Sequence, residues 1–88
     1  MLGNIVKISR RNQNISLKEL AQTLAIDPSL LSRIERNERP ATENQVRELA
    51  KILNLNPADL LKTWLEDKVV NVLKPYPTFA ADVLMAME

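Results

Sequence analysis

The stretch SLKELAQTLAIDPSLLSRIERNERP, residues 16–40, starts a helix, stops it, and starts another within a few positions. Ser16 and Glu19 have the S-x-x-E spacing of a capping box, in which each side chain satisfies a backbone N–H left unpaired at a helix start. Ile15, just outside, is placed to staple onto Leu20. Leu17, Leu20, Ala21 and Leu24 follow the i, i+3, i+4, i+7 rule and make one apolar stripe. Ala21 is small, so another helix can cross it closely. Ala25 and Ile26 form the turn. Asp27 is a good N-cap, and Pro28 suits the first helical position, where its missing N–H is harmless. Leu31 and Ile34 point inward with Leu30 on their flank. The helix ends near Asn37, which tolerates a left-handed backbone. Its opposite side carries Ser29, Ser32, Arg33 and Arg36.

The same reading extends along the chain. Leu2, Ile5 and Val6 have helical spacing, which predicts a first helix over about residues 2–12, broken by Asn12 to Asn14. Thr42 and Gln45 form a second capping box before the stripe Val46, Leu49, Ala50 and Leu53. Asn56, Pro57 and Asp59 supply a cap, an N1 proline and a first-turn acid for a fifth helix. The β-branched run Lys68–Leu73 allows a strand. A continued helix is expected instead, because nothing breaks the chain between Asp59 and Lys74. Pro75 and Pro77 then force a turn, and Thr78 is placed to cap a last short helix with Phe79, Val83 and Leu84 apolar. The expected fold is all-α: a five-helix domain over residues 1–65 and a short helical extension over 66–88.

Composition narrows the function. The 88 residues include no cysteine and no histidine, which excludes a disulfide framework and the common zinc sites. No apolar run approaches the ~18 residues of a membrane helix, and the order of charges at the start is wrong for a secretory signal. A cytoplasmic protein is expected. Glycine-rich phosphate loops and metal-ligand clusters are lacking, and Glu66 and Asp67 point about 100° apart on a helix, so no catalytic pair forms. No enzyme, metal or cofactor is expected. Charge is uneven: seven cations face four anions before Pro40, and five face seven after it. The basic excess lies with the paired helices and points to an anionic partner.

The residues LKELAQTLAI, LLSRIER and NERP, with their fixed spacing, resemble the helix-turn-helix of the phage repressor and Cro class, the XRE family. The resemblance covers about residues 2–61. It implies that Arg10 and Glu35 form a buried ion pair joining the first helix to the third. Family members often have glycine at the positions of Asn14, Ala25 and Asn37. Asparagine suits positive φ; alanine there costs up to ~1–2 kcal/mol unless the turn is tighter. At Leu17 many members carry a polar phosphate-contacting residue, and this chain does not.

In such motifs the second helix enters the DNA major groove with its N-terminal residues against base edges. The resemblance implies that Pro28, Ser29 and Arg33 meet bases, with Ser32 beside them. A guanidinium can bond both O6 and N7 of guanine, which makes Arg33 the foremost candidate. Phosphate contacts are expected at Arg36 and Arg39, at the helix start near Ser16, and at Arg11 and Lys18. Family members usually dimerise on two half-sites about one DNA turn, roughly 34 Å, apart. Trp64, Leu65, Val69, Val72, Leu73 and Phe79 are the candidate interface of a homodimer. The other arrangement is that residues 78–88 fold back and cover that surface. Two functions compete: a transcriptional regulator bound to double-stranded DNA, and a protein-interaction module, such as an antitoxin, docking a partner on the apolar C-terminal segment. Single-stranded binding is disfavoured, because the aromatics that would stack on bases lie outside the paired helices.

Overall fold

The computed structural model describes residues 1–88. It has six helices and no strand: α1 (Leu2–Asn12), α2 (Leu17–Leu24), α3 (Pro28–Glu35), α4 (Glu43–Ile52), α5 (Pro57–Leu73) and α6 (Pro77–Ala86). Four of the five expected caps form. Ser16 Oγ accepts the Glu19 N–H at 3.0 Å and Glu19 Oε1 accepts the Ser16 N–H at 3.4 Å. Thr42 and Gln45 exchange the same two bonds at 3.1 and 2.9 Å. Asp27 accepts the Ser29 N–H at 2.8 Å, and Asn56 accepts the Asp59 N–H at 3.1 Å. Helix α6 differs from expectation. It begins at Pro77 after Tyr76 with no side-chain cap, and Thr78 lies inside it. Proline brings its own helical φ, so the helix starts before the threonine.

Four non-glycine residues have positive φ: Asn14, Ala25, Asn37 and Asn54. Each follows a helix, and after each the next N–H reaches the carbonyl five residues back. The bonds run Ile15 to Arg10, Ile26 to Ala21, Glu38 to Arg33 and Leu55 to Ala50, at 2.8–3.1 Å. This is the Schellman closure. The Ala25 turn is not tightened; its backbone is left-handed, with φ 57° and ψ 42°. Asn54, just past α4, is a fourth such position, beyond the three expected from the family's glycines.

All 15 buried residues lie between Leu2 and Leu60. Leu20, Leu31, Leu49, Leu53, Val6 and Val46 are the largest fully enclosed side chains, so α1 to α4 each contribute to one core. The single glycine marks a close helix approach. A Cβ on Gly3 would lie 2.5 Å from the Ile34 and Glu35 carbonyl oxygens, so α1 rests directly on the end of α3. Helix α5 closes the core with Leu60, and the half-buried Trp64 donates its indole N–H to the Ala41 carbonyl at 2.7 Å. It then runs on unbroken through residue 65, leaving the core behind.

Helix α6 turns back beside α5 yet buries none of its residues. The long axis is 42 Å against 24 and 21 Å, and the radius of gyration is 14.3 Å, where a compact chain of this length would have about 12 Å. No helix is long and apolar enough to cross a membrane.

Candidate nucleic-acid interface

Helix α3 is held from behind and open in front. Leu31 and Ile34 are buried, while Pro28, Ser29 and Arg33 are exposed and Ser32 is half-buried. Asp27 fixes the helix start twice over: its Oδ1 accepts both the Ser29 N–H at 2.8 Å and the Ser29 hydroxyl at 2.7 Å. These bonds, the hydroxyl's first, hold the Asp27 carboxyl below its ordinary pKa. With its proton committed to Asp27, the Ser29 oxygen offers outward only lone pairs. The sequence signal for the cap was the Asp-Pro pair; the hydroxyl contact had no signal of its own. Leu30 is half-buried against the core.

The opposite end of α3 is braced by an ion pair. Arg10 Nε and Nη2 donate to the two oxygens of Glu35 at 2.7 and 3.0 Å, and Nη1 donates to the Ile15 carbonyl at 2.9 Å. Both side chains are buried. The hydrogen bond to Glu35 raises the Arg10 pKa against the opposing effect of burial. One guanidinium therefore ties α1, the turn before α2, and α3 together, and no buried side-chain polar atom is left without a partner.

The candidate phosphate contacts divide. Arg11 and Lys18 are exposed and form no ion pair, as is true of the base-reading candidate Arg33. Arg36 is paired with Glu38 at 2.8 Å, both exposed. Surface pairs of this kind are worth on the order of 0–1 kcal/mol, so a phosphate can displace the glutamate. At Ser16 the Glu19 carboxylate already sits by the start of α2, bringing negative charge to where a phosphate was expected. The first-turn N–H groups of Leu17 and Lys18 have no intrahelical acceptor and remain suited to an anion. Arg39 is exposed and forms no ion pair. It lines a cleft with Met1, Asn37, Trp64, Asp67 and Lys68. Leu17 packs against the core, as its apolar character requires.

The interface candidates also divide. Trp64 serves the chain's own core, with the Lys68 ammonium 4.4 Å from its ring centroid. Leu65, Val72 and Phe79 are exposed, and Val69 and Leu73 are half-buried. Val69, Val72 and Leu73 line an apolar groove with Val83 of α6 and Met87 just past its end.

A family model described as helix-turn-helix (HTH_3) matches residues 6–60, from the second turn of α1 to the first turn of α5. No curated protein sequence matches the chain. Two solved structures share its fold. The clp gene regulator ClgR from Corynebacterium glutamicum is 24% identical with a TM-score of 0.64, over 99% of this chain and 89% of that one. The complex of the SinR and SinI proteins contains a chain 23% identical with a TM-score of 0.60, over 99% of this chain and 98% of that one. The fold, the capped paired helices and the family match together place this chain in the helix-turn-helix family of the phage repressor and Cro type (XRE), a family of DNA-binding transcriptional regulators.

Proposed function

We propose that two copies of this chain occupy an operator with two half-sites, each copy laying α3 in the major groove. The observation that carries this reading is the front of α3: Pro28, Ser29 and Arg33 exposed on a helix whose back is buried and whose two ends are pinned. Arg33 would read guanine through O6 and N7. Ser29, presenting lone pairs, would accept from adenine N6 or cytosine N4, with Ser32 deeper on the same side. Arg11, Lys18, Arg36, Arg39 and the start of α2 near Ser16 would meet phosphate and supply the salt-dependent share of affinity. Regulation is by occupancy, without catalysis.

The apolar arm supplies the reason for two copies. Val72 is 68% exposed and Phe79 60% exposed, and with Leu65, Val69 and Leu73 they form a surface of the kind that marks protein contacts. Its occupant on this reading is the same surface of a second copy, related by a two-fold axis. A second reading places a different protein there, as an antitoxin would use it. It is favoured by the SinR–SinI structure, a complex of two proteins in which one chain shares this fold over 99% of the present chain.

Selecting bound fragments from random duplex DNA tests the proposal. The expected product is a short sequence repeated in inverted orientation, its centres about one DNA turn, roughly 34 Å, apart. Failure to bind any duplex at low salt would overturn it in favour of the partner-protein reading. A single uninverted site would remove the dimer while keeping α3 as the reader.

A further inference from the structure

Helix α1 has no cap of its own. Met1 precedes it without a side-chain hydrogen bond, and its first turn holds no acidic residue. Side chains from distant elements take its first two N–H groups instead. The Leu2 N–H donates to Asp67 Oδ2 of α5 at 2.8 Å, and the Gly3 N–H donates to Asn37 Oδ1, just past α3, at 3.0 Å. Asn37 Nδ2 also donates to Asn4 Oδ1 at 3.2 Å. Since Gly3 lets α1 rest on the last carbonyls of α3, one helix start joins α3 to α5.

The place of Asp67 along α5 gives this link a consequence. Leu60, Trp64 and Asp67 recur at i, i+4 and i+7, on one face of the helix. Leu60 is buried, Trp64 bonds the Ala41 carbonyl, and Asp67 bonds Leu2. Asp67 is the last side chain of α5 hydrogen-bonded to the helix-turn-helix domain; beyond it Val70 and Val72 are exposed and the helix belongs to the arm. A carboxylate on a helix N-terminus combines a charge-assisted hydrogen bond with the helix dipole, so the link is firm.

We infer that Asp67, with Asn37 as its counterpart beside α3, is a positioning residue that fixes the direction of the arm relative to the reading helix and so sets the half-site spacing a dimer accepts. The inference rests on the two-half-site reading above. The test uses the full chain and duplexes carrying two copies of the selected half-site, with the spacer changed one base pair at a time, and a control duplex with one half-site scrambled. The wild-type chain has one preferred spacing. In Asp67→Ala the preference for that spacing over its neighbours falls about tenfold, the scale of one hydrogen bond to a charged group, while single-half-site affinity and helix content hold. Asp67→Asn keeps an acceptor oxygen and keeps the peak. Asn37→Gly accepts the positive φ, removes the side chain and loses the peak. A peak as sharp in Asp67→Ala as in wild type overturns the inference and leaves two-site binding standing. Equal losses on single and paired half-sites reduce Asp67 to a support of the fold and overturn it as well. A wild-type chain with no preferred spacing overturns both readings together.

Discussion

Between Leu2 and Leu60 the helices commit their apolar stripes to one core; between Lys68 and Met87 the chain carries four valines, two leucines, a phenylalanine and two methionines and buries none of them. The two regions also end their helices differently. In the first, helix starts have side-chain caps or borrowed ones, and the turns close through left-handed residues. In the second, α6 starts on a proline without a cap. Leu60, Trp64 and Asp67 occupy one face of α5 and hold the domain, while Leu65, Val69 and Val72 occupy another and face away. The contrast teaches that apolar content does not by itself report stability. In the domain it holds α3 still; in the arm the same kind of side chain is left exposed.

The largest expected effect falls on the domain. Glu35→Ala leaves the buried Arg10 guanidinium without its carboxylate and should cost about 3–5 kcal/mol, read as a lower denaturation midpoint. Arg10→Met combined with Glu35→Leu should recover most of that loss, because two packed apolar side chains leave no stranded charge. An unchanged midpoint for Glu35→Ala would show that the pair does not brace α3.

In the arm the order of effects reverses. Phe79→Asp should leave the thermal unfolding of the domain unchanged while weakening self-association by about 2 kcal/mol or more, the scale of an interface hot spot. Sedimentation across micromolar concentrations measures this. A wild-type chain that sediments only as a monomer would remove the dimer, and an unfolded Phe79→Asp would make the arm part of the core.

Smaller changes sharpen the account of the turns. Ala25→Gly relieves the left-handed penalty on a Cβ but frees the unfolded chain, so the net gain should be up to about 1 kcal/mol. A rise in urea midpoint is expected; a fall would mean that the Ala25 methyl packs usefully. At Asp27 the effect is confined to acid. Its folded pKa is depressed by the Ser29 hydroxyl and N–H, so its stabilisation is complete above the unfolded value, about 3.9. That stabilisation is lost as pH falls through the lower folded value. Asp27→Asn keeps the cap and should flatten that limb of the stability–pH curve.

Much of the domain was legible because its signals are local. Ser16 with Glu19, Asp27 with Pro28, Thr42 with Gln45 and Asn56 with Pro57 each fix a helix start within four residues, and apolar periodicity assigns the inner faces. The Arg10–Glu35 pair came through family resemblance, since 25 residues separate its members. What stayed hidden depends on long-range geometry. Nothing near Asp67 signals that it caps α1, and nothing near Trp64 points to the Ala41 carbonyl; Asn54, just past the α4 stripe, carries the same local signal of a left-handed turn as Asn37. Thr78 misled because its capping chemistry competes with a proline that starts the helix one residue earlier. At the candidate interface the outward position of Ser29 and Arg33 followed from helical spacing, whereas the pairing of Arg36 with Glu38 is set by the conformation around Asn37.

If the front of α3 reads base edges, base-by-base substitution in the selected operator will show it. With the wild-type chain, replacing the guanine opposite Arg33 should cost about 1–3 kcal/mol. With Arg33→Ala that penalty should vanish, while the slope of affinity against salt changes by no more than about one phosphate contact. An Arg33→Ala chain that still discriminates the same base as the wild type would contradict the account.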